Sequence, residues 1–136
     1  MTIKNDVILW NNGKDIFSFF KIPAEQQYKY IDELPCITFG ILYECTNYKG
    51  CDTFTLFDHF YTKTISTIEK TYRSLNGAFR IEDIGADTDG YIDFEMTKGH
   101  LYIKGQLGAS FSSHSLRFEF EADQTLVGNL LQTLTV

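Results

Sequence analysis

Basic side chains are scarce in this chain: 12 lysines and arginines stand against 18 aspartates and glutamates, for a formal net charge of −6. A protein that grips phosphates by counterion release needs clustered lysine and arginine, so nucleic acid is not an expected partner. Cysteine is equally sparse. Cys36, Cys45 and Cys51 form an odd set without a C-x-x-C pair, which argues against a disulfide framework and against a zinc site. No apolar run approaches the ~18 residues that cross a bilayer. Residues 1–6 lead straight into a strand-like segment, without the apolar stretch of a signal peptide. A cytoplasmic protein with no membrane association is expected.

Catalytic signatures are missing too. His59, His100 and His114 are the only histidines, and no G-x-S-x-G elbow or local Cys/His signature accompanies them. The glycines are spread singly at turns and build no phosphate loop. Residues 85–93 resemble the middle of a calcium loop through Asp87, Asp89, Gly90 and Ile92. The first ligand position holds Gly85, however, and the twelfth holds Met96 where a bidentate glutamate belongs. Asp and Gly also suit a tight turn, which is the reading preferred. Acid pairs such as Glu82-Asp83 and Asp93/Glu95 read as residues of a wet strand face and not as a glycosidase dyad. The expectation is a protein that is not an enzyme, with no metal and no cofactor.

What is plentiful is aromatic: 12 Phe and 8 Tyr in 136 residues, with a hydrophobic fraction of 43%. That composition favours sheet surfaces and a packed interior, in one domain over residues 1–136. Residues 6–21 read as a hairpin turned by Asn11-Asn12-Gly13 and closed by Pro23. From Ala24 onward a connection is expected, with a short strand around Tyr28 and Tyr30, up to Pro35. Residues 37–45 and 52–56 read as paired strands. Tyr61, Ile65, Ile68, Tyr72 and Leu75 step at helical spacing and predict a long central helix over about 58–76, capped by Asp58 and stopped by Asn76-Gly77.

Four alternating strands follow. Phe79 and Ile81 oppose Arg80 and Glu82; Ile92, Phe94 and Met96 oppose Tyr91, Asp93 and Glu95; Leu116, Phe118 and Phe120 oppose Arg117, Glu119 and Glu121. Leu101, Ile103 and Leu107 share a face that Gly105 interrupts, a position for a bulge or for the close passage of the helix. Such alternation predicts strands with one wet face, covered by helices on the other. Asp123, placed to cap, opens a C-terminal helix over about 124–135. The fold class expected is α+β: a mainly antiparallel sheet of about six to eight strands with these two helices.

From about residue 50 onward the chain resembles the WapI-family immunity proteins of bacterial polymorphic toxin loci. Three stretches carry the resemblance. They are Phe60, Ile68 and Tyr72-Arg73-Ser74-Leu75-Asn76-Gly77-Ala78-Phe79; Gly99-His100-Leu101-Tyr102-Ile103-Lys104-Gly105; and Leu116-Arg117-Phe118-Glu119-Phe120-Glu121-Ala122-Asp123-Gln124-Thr125-Leu126. The resemblance spans roughly the C-terminal two-thirds and implies a cytosolic protein that binds a cognate toxin domain and blocks it. If the alternating strands are neighbours, Glu82, Asp93, Glu95, Glu119 and Glu121 form an acidic patch suited to a basic protein partner. The alternative is a non-enzymatic domain of small-ligand-binding or housekeeping type, with an aromatic-lined pocket. An edge strand near the N-terminus also offers a place where a second copy could pair in a two-fold dimer.

Overall fold

A computed structural model describes residues 8–22, 30–31, 33–85 and 88–135. Pro23, Ala24, Tyr28, Ala86 and Asp87, which entered the sequence expectations, lie outside the described residues. The chain is α+β, with two antiparallel sheets and two helices. In the first sheet β1 (Ile8–Asn11), β2 (Ile16–Lys21), β4 (Leu34–Glu44) and β5 (Lys49–Phe57) lie side by side. The two-residue β3 (Tyr30–Ile31) pairs with the start of β4. The second sheet is the meander β6 (Gly77–Glu82), β7 (Tyr91–Thr97), β8 (His100–Leu107) and β9 (Leu116–Asp123). Helix α1 (Asp58–Ser74) joins the sheets and α2 (Gln124–Thr135) follows β9.

Local chemistry explains the turns. Asn11 and Asn12 side chains accept the N–H groups of Gly13, Lys14 and Asp15, which folds the first hairpin. Lys98 and Gly99 both take positive φ (51° and 82°), as a two-residue hairpin turn between strands of right-handed twist requires. Asp123 Oδ1 accepts the Thr125 N–H at 2.8 Å and so opens α2.

The expectation of one sheet covered by helices needs correcting. The apolar face of the second sheet packs on the first sheet as well as on the helices. Phe17 packs on Phe94, Phe118 and Phe120, with ring centroids 6.5, 6.3 and 5.7 Å apart, and Tyr43 stacks on Phe118 at 4.5 Å. One hydrophobic cluster runs through both sheets and both helices. Each phenyl ring so buried contributes about 1.5–3 kcal/mol. Alternation reveals that a face is apolar but not which element lies against it, which is why the sandwich was hidden.

The long central helix is likewise not what forms. Helix α1 has 17 residues and buries only Ile68 and Thr71 fully. No side chain caps its start: Phe57 holds the N-cap position and Asp58 stands inside the first turn. Its end comes at Leu75, which itself turns left-handed (φ 60°), two residues before the expected glycine. The Asn76 side chain instead ties the exit together, donating to the Ser74 carbonyl and accepting the Lys98 N–H. Gly105 is explained differently as well. Its pairing with β7 and β9 shows no shift of register, and a Cβ there would stand 2.8 Å from both Phe118 Cζ and the Tyr91 carbonyl oxygen. A ring of the neighbouring strand fills the space, not a helix.

Candidate functional site

Register decides which side chains of the second sheet meet. Reading across β6 to β9, one row of directly opposed residues is Ala78, Glu95, Tyr102 and Glu121. The next is Arg80, Asp93, Lys104 and Glu119, and the third Glu82, Tyr91, Gln106 and Arg117. All five acids singled out from the sequence therefore lie on one face. Glu82, Glu95, Glu119 and Glu121 are exposed and Asp93 is partly buried.

The face is not uniformly negative. Arg80 grips Asp93 through two parallel hydrogen bonds of 2.6 and 2.8 Å and touches Glu82 at 3.3 Å. The same guanidinium lies 4.4 Å above the Tyr91 ring. Such partly exposed pairs contribute about 0–1 kcal/mol each, so their main effect here is to use up charge. At the far end, Gln106 is 1% exposed because Asp89 and Ser110 roof it: Asp89 accepts from the Gln106 side chain at 2.7 Å and from the Ser110 N–H at 2.7 Å. The Ser110 hydroxyl also donates to Asp89, and these bonds hold that carboxyl below its ordinary range. Asp89, the described one of the two aspartates at calcium-ligand positions, is thus engaged in fastening the loop after β8.

The first row is different. It contains no basic side chain, and Glu119 leans into it by accepting the Tyr102 hydroxyl. Glu121 lies 3.3 Å from His100 Nε2, and Glu95 has no hydrogen-bond partner among the described residues. Tyr102 registers the local field. Its phenol is pushed up first by the bond to Glu119, then by desolvation and by the charges of Glu119, Glu121 and Glu95. The acidic part of the face is accordingly the half nearest the β7–β8 turn, centred on Tyr102.

Other candidate chemistry is dispersed. His59 stacks between Phe57 and Phe60 at the start of α1, His100 opens β8, and His114 lies in the loop before β9. The cysteines are free, with Cys36 buried, Cys45 half-buried and Cys51 exposed. Burial, then Asp58, push the Cys36 thiol up. Among the described residues no three His, Cys, Asp or Glu side chains converge as a metal site, and no helix is long and apolar enough to cross a membrane. The rings of the interior pack on one another, and a small apolar cleft of about 170 Å³ opens at the edge of β6, lined by Leu56, Phe60, Thr64, Ile81 and Ile84.

Sequence alternation found the five acids but missed how they are grouped. Arg80 and Arg117 were visibly on the wet face, yet their partners depend on strand register. Tyr102, at the middle of the acidic half, carried no signal except its place in an alternating strand. Compared with known protein families, curated proteins and solved structures, the chain matches no family model, no curated protein and no solved structure.

Proposed function

We propose that this domain works by binding another protein, and that it does so as an immunity protein that captures and neutralises a cognate toxin domain in the bacterial cytoplasm. The observation that carries the reading is the acidic half of the second sheet's open face, where Glu95 and Glu121 flank Tyr102 in a row without a lysine or arginine, and Glu119, from the next row opposite Lys104, accepts the Tyr102 hydroxyl. The resemblance of the C-terminal two-thirds to WapI-family immunity proteins supplies the biological role. A flat strand surface with a tyrosine at its centre offers a rigid aromatic anchor, and its carboxylates favour encounter with a basic surface. The binding act asks nothing of the protein beyond presenting that surface, since a toxin is silenced when its own site is covered.

The test is capture and rescue. The product of a toxin-like gene adjacent to this one, produced with an inactivating substitution, should co-purify with this protein. The active toxin should become tolerable to cells that express it. A gene neighbourhood without any toxin-like product, or a neighbour that neither binds nor is neutralised, would overturn the proposal. The salt dependence of capture gives a further check, because an acidic contact surface should associate more slowly as ionic strength rises.

A further inference from the structure

We propose that the free edge of β6 is a second docking site, separate from the acidic half of the sheet around Tyr102, which takes an extended peptide as an added antiparallel strand. The peptide places a basic side chain opposite Glu82 and an apolar one opposite Ile81. The bonding phase of β6 comes from one hydrogen bond. Asp83 N–H donates to the Gly90 carbonyl at 3.0 Å, so Asp83, Ile81 and Phe79 are the residues that bond to β7. The N–H and C=O groups of Ala78, Arg80 and Glu82 point away from β7, and β6 is the outermost strand of its sheet. No other described residue hydrogen-bonds them, and β5 meets this edge only beyond them, where Ile84 donates to the Thr55 carbonyl.

The outer strands of the first sheet carry bonds that block their edges. At β1, Asn129 donates to the Leu9 carbonyl at 3.1 Å. At β5, the Thr55 carbonyl accepts from Ile84 at 3.1 Å, its N–H donates to Asp83 at 3.1 Å, and the Thr53 N–H donates to Asp52 at 2.8 Å. The β6 edge has instead an apolar cleft beside it. Leu56, Phe60, Thr64, Ile81 and Ile84 line the cleft, Arg80 and Glu82 bound it, and Phe60 is 51% exposed. Alternating backbone donors and acceptors beside an apolar hole are complementary to an extended chain that drops one side chain inward.

Charge and alternation fix the rest of the motif. The Arg80 guanidinium is committed to Asp93 and stacked on Tyr91, whereas the Glu82 side chain is 61% exposed and holds one contact at 3.3 Å. The charge left available on the rim is therefore negative. A residue paired with Glu82 projects to the outer face, where a lysine or arginine makes a cross-strand ion pair. Its neighbour, paired with Ile81, projects inward to the cleft. In an antiparallel strand the order is basic, then apolar.

The probe is the acetylated, amidated peptide KLTVTT, which starts at the residue opposite Glu82 and so stays clear of Thr55, titrated into the full chain and followed by the protein's amide resonances. Saturable shifts are expected at Ala78, Arg80, Glu82, Phe60 and Thr64. Replacing the leucine (KDTVTT) should weaken binding about tenfold or more, as the loss of a buried aliphatic side chain implies. Thr64→Trp, which fills the cleft, should weaken KLTVTT to a similar extent. Glu82→Lys should invert the preference between KLTVTT and ELTVTT, while Glu95→Lys should leave peptide binding unchanged. This last arm separates the edge from the acidic half of the face, so either site can fail alone. Absence of saturation at about millimolar peptide, equal binding of KDTVTT, or shifts centred on Tyr102 would overturn the proposal. The peptide exchanges decide the matter even if a protein variant fails to fold.

Discussion

The two sheets obey different rules of burial. In β7, β9 and β8 from His100 to Gly105 buried positions alternate with more exposed ones, whereas β4 is buried without a break from Thr38 to Tyr43. The first sheet thus has a strand enclosed on both faces, and its residues read as one apolar run. The second has a strand set whose outer side belongs to solvent. Only the second keeps a broad surface for polar contact, and its sequence advertises the fact. A sheet that gives up its wet face to packing loses both its period and its freedom to bind.

The largest expected effect tests that division within one strand. Phe94→Ala, which opens a hole in the stack shared by Phe17 and Phe79, should cost about 3–5 kcal/mol in denaturant unfolding. Glu95→Ala, the next residue on the opposite face, should change stability by no more than about 0.5 kcal/mol. Comparable losses at the two positions would mean that the outer face is covered.

Gly105→Ala comes next. The added methyl meets Phe118 Cζ and a backbone carbonyl, each 2.8 Å away, and backbone cannot step aside as a side-chain end can. A loss of about 1–3 kcal/mol is expected by thermal or urea unfolding. The first sheet supplies a change of opposite sign. Ser18 is 0% exposed and its hydroxyl has no hydrogen-bond partner among the described residues, so Ser18→Ala should leave stability unchanged or raise it by up to about 1 kcal/mol. A clear loss on this substitution would show that the hydroxyl is bonded.

Asp83 gives the smallest effect, seen in pH dependence. Burial pushes its carboxyl up, ahead of the lowering influence of the Thr55 and Gly85 N–H groups it accepts. With the folded-state pKa raised, the folded state favours the protonated acid. Its contribution is therefore complete below the unfolded pKa of about 3.9 and is lost as pH rises through the folded value. Asp83→Asn keeps an acceptor oxygen and removes the titration. Its stability curve should be flatter than that of the parent between neutral pH and about pH 4, as measured by urea midpoints across that range.

Legibility followed the same division between the sheets. The hairpin at Asn11-Asn12-Gly13, the alternation of β6 to β9 and the Asp123 start of α2 rest on local rules, and local rules can be read from neighbours in sequence. Helix α1 ends at Leu75 because a leucine turns left-handed there, a choice that propensity assigns to glycine. The face-to-face packing of the sheets depends on Phe17 and Tyr43 reaching residues far along the chain, and no period records that. The site was legible to the same depth. Alternation put Glu82, Asp93, Glu95, Glu119 and Glu121 on one face, but only register shows that Arg80 neutralises Asp93 while Glu95 stands unpaired beside Tyr102.

The decisive measurement for the proposed immunity role is capture of the product of an adjacent toxin-like gene by two charge-reversed proteins of confirmed fold. Glu95→Lys combined with Glu121→Lys reverses the acidic half of the second sheet, and Glu69→Lys reverses a carboxylate on α1. The account predicts that the first protein loses capture and rescue while the second retains both. Undiminished capture by the Glu95/Glu121 pair, or equal loss from the helix substitution, would contradict it.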